Sequence, residues 1–185
     1  MVELGPSAGG WGLAHEQIAS GLASRAGAIL VSPRLLRRII KAHRKLPGVG
    51  FDVPHGFAYV LDKQALLDLA NIEELGCKES ELFDRVLLVE RPEDDPGTDP
   101  TEVYGTLWRR AFHAAIHREL EEHVASGRLG RAEIRARIHA IGQTEFDEIR
   151  FVLRQDDLLL PPDDDATTYT EYAATYLELA AFAPE

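Results

Sequence analysis

DPTEVYGTLWRRAFHAAIHRELEEHVASGRLG, residues 99–130, is the stretch on which the fold turns. Asp99 is a helix cap, Pro100 suits the first helical position, and Glu102 completes a D-x-x-E capping box. The pattern predicts a helix running to about Ser126, with Gly127 as a left-handed terminator. At 100° per residue, Val103, Tyr104, Leu107, Trp108, Ala111, Phe112 and Ala115 cover one broad side. Ile116, Leu120 and Val124 drift onto a neighbouring side, where His113 and His117 also fall. Only Arg118 to Glu122 is polar enough to face water. A helix apolar over most of its circumference packs on several sides, so this one is expected at the centre of the molecule with Phe112 as a core anchor.

Toward the N-terminus the elements are shorter. Residues 1–12 are glycine-rich and read as a flexible N-terminus. A helix is expected from Ala14 to Ser24, then a buried strand at Ala28–Val31 (AILV). Ser32 and Pro33 open a second helix that ends near Lys45, before a Leu-Pro-Gly turn. FAYVL at 57–61 is the best strand in the chain, and Asp62 caps a helix with Ala65, Leu66 and Leu69 on its buried face. A short helical segment near 79–83 leads to a further buried strand, VLLV at 86–89. RPEDDPGTDP, residues 91–100, holds three prolines and four acids and reads as a linker over 92–99.

Beyond the central helix everything reads as helical. Ile134, Ile138 and Ile141 mark one helix, stopped by Gly142. Thr144 and Asp147 are expected to cap the next, with Ile149, Val152 and Leu153 on its core face. Thr168 with Glu171 reads as another capping box, opening a last helix striped by Tyr169, Tyr172, Tyr176 and Leu179. The class expected is therefore α+β: an α+β lobe over 13–91 with two or three short strands, and a four-helix lobe over 100–185. Each lobe is near the lower size for an independent domain, and a single shared core is the alternative.

Composition excludes several classes. The chain has 185 residues, 45% hydrophobic and 28% charged, as in ordinary globular proteins. No run approaches the roughly 18 apolar residues that span a bilayer, so no membrane partner is expected. No secretory leader is legible, and the cytoplasm is the expected compartment. The lone Cys77 excludes an internal disulfide framework and a multi-cysteine zinc site; Lys78 beside it would lower its pKa. The apolar ending ELAAFAPE fits either a docked last helix or the N-terminal piece of a longer protein.

The net charge is −11, which argues against nucleic-acid binding by the whole surface. Yet six Lys and Arg and no acid lie between Pro33 and Lys45. Arg34, Arg37, Arg38, Lys41, Arg44 and Lys45 share one face of that helix, opposite Leu35, Leu36, Ile39, Ile40 and His43. Like charges at helical spacing repel, so either an anionic partner, nucleic acid included, or the protein's own acids must offset them. No aromatic residue on that face supports base stacking.

His113 and His117 are spaced i, i+4, which places both imidazoles on one side and allows them to chelate one metal. A metal site needs a third ligand, for which His139, Glu145, Asp147 and Glu148 on neighbouring helices are candidates; the leading reading is of core or interface histidines satisfied by backbone or carboxylate partners. The glutamate of the zinc-protease motif is replaced by Ala114, and no Glu-x-x-His of a di-iron bundle occurs. No other cofactor motif is present: there is no P-loop, no dinucleotide fingerprint and no nucleophile elbow.

Arg110 and His117, with six residues between, and Arg118 and His123, with four, resemble the R-x4–6-H pattern of the HEPN ribonuclease family. That family is an all-helical bundle, and the resemblance covers this helix alone. Ala111 and Glu119 stand where the family carries its usual polar residue after the arginine. Two functions are therefore expected, the first leading and the second its alternative. One is a non-enzymatic binding or assembly module, joined to a protein partner or to the rest of a longer chain, with helix 33–45 on an anionic partner. The other is a metal-dependent or HEPN-like hydrolase using His113 and His117.

Overall fold

The computed structural model describes residues 19–24, 26–47, 53, 57–92, 99–159 and 163–182. The expectations for residues 1–12, for the start of the first helix and for most of the 92–99 linker lie outside these. Residues 19–24 are helical and lead into β1 (Ala28–Val31) and α1 (Pro33–Arg44). Then come β2 (Ala58–Asp62), α2 (Lys63–Leu69), α3 (Ile72–Leu75), a 3-10 turn at Glu79–Glu81 and β3 (Arg85–Glu90). Four further helices follow: α4 (Pro100–Ala125), α5 (Arg131–Ile141), α6 (Gln143–Gln155) and α7 (Asp165–Phe182). The class is α+β, with the strands in the N-terminal half and most helices C-terminal. Among the described residues no helix is long and apolar enough to cross a membrane.

The three strands form one sheet in the order β1-β3-β2, with β1 parallel and β2 antiparallel to β3. β3 is apolar without interruption because both of its faces are covered. Val86 and Leu88 meet Leu35, Leu36, Ile39 and Ile40 of α1 and Leu66 of α2. Leu87 and Val89 point the other way, onto Val103, Leu107, Ala111 and Ala114 of α4, together with Leu22, Ala28, Leu30 and Val60. This second core joins residues from both sides of the 92–99 segment.

The central helix is where it was expected, and Asp99 caps it by accepting from the Thr101 amide at 2.9 Å. Its buried face differs from the expected one. Small residues let the helix lie close to the sheet, so the contact stripe is Val103, Leu107, Ala111 and Ala114. Phe112 is turned off that stripe and only half-buried, edge-on to Phe182 at 5.4 Å. Arg118 does not face water freely either, since its Nη1 donates to the Ala26 carbonyl at 3.3 Å.

Three further expectations need correction. Gly142, at φ +107°, ends α5 and also opens α6, so Thr144 lies inside the helix rather than at its cap. The left-handed backbone there favours glycine. On α6 the buried residues are Phe146 and Leu153, and Val152 is exposed. Phe146 anchors a third core with Leu129, Ile134 and Ile138. On α7 the helix begins at Asp165, so Thr168 and Glu171 sit within it and are buried, as is Ala174. The tyrosine stripe is not its inner face: Tyr176 and Leu179 are exposed. The inner face is polar because of what it meets on α4.

Candidate metal centre and its cavity

α7 lies against α4 and brings Glu171 to the two histidines. His117 Nε2 is 3.0 Å from His113 Nε2 and 3.1 Å from Glu171 Oε2. His113 Nε2 is 3.2 Å from Glu171 Oε1. His113 and Glu171 are buried, and His117 is partly so. On the far side of its ring, His113 Nδ1 donates to Glu178 Oε2 at 2.8 Å, and Arg109 Nε donates to the other oxygen of Glu178. Glu171 and Glu178 are seven residues apart, two turns, and so share one face of α7.

The residue brought to the histidines is therefore Glu171, and not His139, Glu145, Asp147 or Glu148, all of which are exposed on α5 and α6. The helix packed along the histidine face is α7, and the sequence gives no apolar stripe by which to recognise its inward side.

Two occupancies suit this arrangement. With protons alone, a doubly protonated His113 donates to Glu178 and to Glu171 Oε1, and His117 donates to Glu171 Oε2. With His113 neutral and its Nδ1 donating to Glu178, the lone pair on its Nε2 faces a carboxylate oxygen and a second imidazole nitrogen. A metal cation there takes the place of the second proton. Tetrahedral bonds of about 2.0 Å set ligand atoms about 3.3 Å apart, and an octahedral face sets them about 3.0 Å apart. The two Nε2 atoms, 3.0 Å apart, have such a spacing, and with one oxygen of Glu171 the three ligand atoms lie within 4.8 Å of one another. The field is favourable as well. Burial pushes the His113 pKa down, but the hydrogen bonds and charges of Glu171 and Glu178 outweigh it and hold it above its ordinary value.

His113, His117 and Glu171 form part of the wall of a cavity of about 340 Å³. It runs between α4, α7 and the outer strand β2. Ala58, Val60, Ala114, Val124, Leu158 and Ala166 supply apolar wall, Thr167 and Thr170 supply hydroxyls, and Arg44 of α1 also reaches it.

The six cations of α1 do not act as one patch. Arg38 pairs with Glu74 at 2.8 Å and Arg37 with Glu90 at 3.9 Å, so acids from α3 and β3 offset part of the face. Lys41 is half-buried, while Arg34 and Lys45 are exposed. Arg44 turns away to Tyr59, donating from Nε to the phenol oxygen at 2.9 Å. The apolar side Leu35, Leu36, Ile39 and Ile40 is buried as expected.

Neither R-x4–6-H pair converges. Arg110 pairs with Glu90 at 3.7 Å and lies 4.4 Å from the Phe57 ring, whereas His117 faces Glu171. Arg118 is held by Ala26, and His123 faces Glu119 at 3.2 Å. Cys77 packs at the edge of the first core, where burial and Glu81 push its thiol pKa up, contrary to the lowering expected from Lys78.

In comparison with known proteins, no family model, no curated protein and no solved structure matches this chain. Its chemistry has to be read from the site.

Proposed function

We propose that the protein is a metal-dependent hydrolase in which His113, His117 and Glu171 hold one divalent transition-metal ion at the cavity wall. The observation that carries this reading is the convergence of two imidazoles and a carboxylate, from two helices, with one ligand atom from each all within 4.8 Å of one another at the wall of a cavity. Two imidazoles and a carboxylate suit zinc, iron or manganese and are poor ligands for magnesium or calcium. Three protein ligands with a position left open are the mark of catalytic rather than structural zinc. An ion so held polarises a carbonyl or phosphoryl oxygen and makes water nucleophilic near neutral pH. Glu178 fixes the ring of His113 with its Nε2 toward the metal, and Arg109 fixes Glu178. The apolar wall around the site strengthens these interactions by limiting water. A non-enzymatic module docking through α1 has less support, because Arg37 and Arg38 face the protein's own acids.

Zinc loading of the metal-stripped protein should give one ion per chain, lost in a His113→Ala, His117→Ala double variant. Zinc-dependent hydrolysis of p-nitrophenyl acetate or p-nitrophenyl phosphate should be lost in Glu171→Gln. Equal zinc content in the wild type and the double variant would sink the metal site. Iron retained in preference to zinc, with no hydrolysis, would replace the hydrolytic reading with oxygen chemistry at the same three ligands.

Glu178→Gln keeps an acceptor for the His113 Nδ1–H but removes its charge. Zinc affinity should fall by about 10- to 100-fold, the usual effect of removing a partner behind a metal-bound histidine. Competition with a chromophoric chelator measures it, and an unchanged affinity would mean that Glu178 only packs the two helices together.

A further inference from the structure

The cavity has a second set of polar lining residues, contributed by α1 and β2 rather than by α4 and α7. Arg44, the last residue of α1, reaches the cavity together with Tyr59 of β2. A short chain of hydrogen bonds fixes the arginine. Its Nε donates to Tyr59 Oη at 2.9 Å, and the Tyr59 hydroxyl in turn donates to His43 Nδ1 at 2.8 Å. The proton order follows from charge: burial and the neighbouring Arg44 hold the His43 pKa below its ordinary value, so His43 is neutral and accepts.

This leaves both Nη groups of Arg44 without a partner among the described residues. Arg37 and Arg38, on the same helix, each have a glutamate. Among the described residues Arg44 has none, although the chain is acidic overall. Glu121, which also lines the cavity, is held by Arg85. A guanidinium anchored through Nε and free at its fork is prepared to take a planar or tetrahedral oxyanion. The cavity that Arg44 and the histidines share is also walled by Ala58, Val60, Ala114, Val124 and Leu158.

We propose that Arg44, held by Tyr59, is the anion-recognising end of the cavity, so that the substrate is a small molecule with an apolar body and an oxyanionic group, a carboxylate or a phosphate monoester. As a statement about substrate it rests on the hydrolase reading, but the anion site itself does not need the metal. Arg44 orients the substrate from one end while the reacting group lies at the His113, His117 and Glu171 end.

Phenylacetate, phenyl phosphate and the neutral phenylacetamide serve as probes, titrated by NMR into metal-stripped full-length protein. At least one anion should bind about tenfold or more tightly than the amide, the margin expected of a hydrogen bond to a charged group. Arg44→Gln should erase the preference, and Tyr59→Phe should reduce it. Which of the two anions wins tells a carboxylate site from a phosphate site. Arg44 is exposed, so Arg44→Gln is expected to fold, which a thermal melt checks, and its zinc stoichiometry should match the wild type. The proposal is overturned if neither anion outbinds the amide, or if the preference survives Arg44→Gln. It is equally overturned if the preference arises only after zinc loading, because the metal is then the anion's partner. Zinc binding without anion preference removes this proposal and leaves the metal site standing. Anion preference without zinc binding supports Arg44 and removes the metal site.

Discussion

Leu107→Ala should lower the free energy of unfolding by about 3–5 kcal/mol, whereas Phe112→Ala on the same helix should cost only about 1–2 kcal/mol. By size alone the order would be reversed. Leu107 is 1% exposed and fills the space between α4 and the sheet, against Leu87 and Val89 of β3. The sheet has its α1 layer on the other face and cannot collapse into a void, so most of the cavity left by alanine would persist. Phe112 lies at a rim, edge-on to Phe182, which is itself 39% exposed. Its removal gives back a half-exposed ring face and leaves no closed void. Urea unfolding of the two variants gives the comparison. Equal or reversed losses would mean that α4 is held mainly by α7, and that its packing on the sheet is secondary.

The two helices differ in how far their sequences reveal them. α4 was legible because its start is marked by Asp99 and Pro100 and its end by Gly127, and because its apolar residues exceed one face. What was not legible is which part of that excess meets the sheet. Close packing selects small residues, so the decisive positions include Ala111 and Ala114, which carry little hydrophobic signal. β3 was legible for the opposite reason: four consecutive apolar residues, Val86 to Val89, are wanted only where both faces are covered.

At the site, the histidine pair could be read from spacing alone, but its partner could not. Glu171 stands among Thr167, Thr168 and Thr170, where a carboxylate reads naturally as a helix cap. The signal that separates the readings is weak. Glu171 and Glu178 are two turns apart with the small Ala174 between them, a stripe that suits a polar partner helix. The tyrosines on other faces drew the inward direction away from it. The basic helix shows a related limit. Its charge was plain, yet one-dimensional sequence did not tell which cations meet Glu74 and Glu90 and which one, Arg44, reaches the cavity.

Phe146→Ala should cost about 3–5 kcal/mol, and it should also weaken zinc binding although Phe146 touches no ligand. The ring is 0% exposed and sits in the third core with Leu129, Ile134 and Ile138, and Arg150 lies 5.3 Å over it. Ala166 and Tyr169, from the first turns of α7, pack against the same cluster. Glu171 follows directly on that segment. A void under Phe146 therefore loosens the stretch that fixes where Glu171 stands, and a ligand free to move loses affinity through the entropy of ordering it again. Val152→Ala is the control on the same helix: at 50% exposure it should stay within about 0.5 kcal/mol and leave zinc binding unchanged. Urea unfolding of the metal-stripped proteins and chelator competition of the loaded ones separate the two effects. If Phe146→Ala destabilises the fold but binds zinc as tightly as the wild type, then Glu171 is positioned by its contacts with α4 alone, and the third core has no part in holding the site.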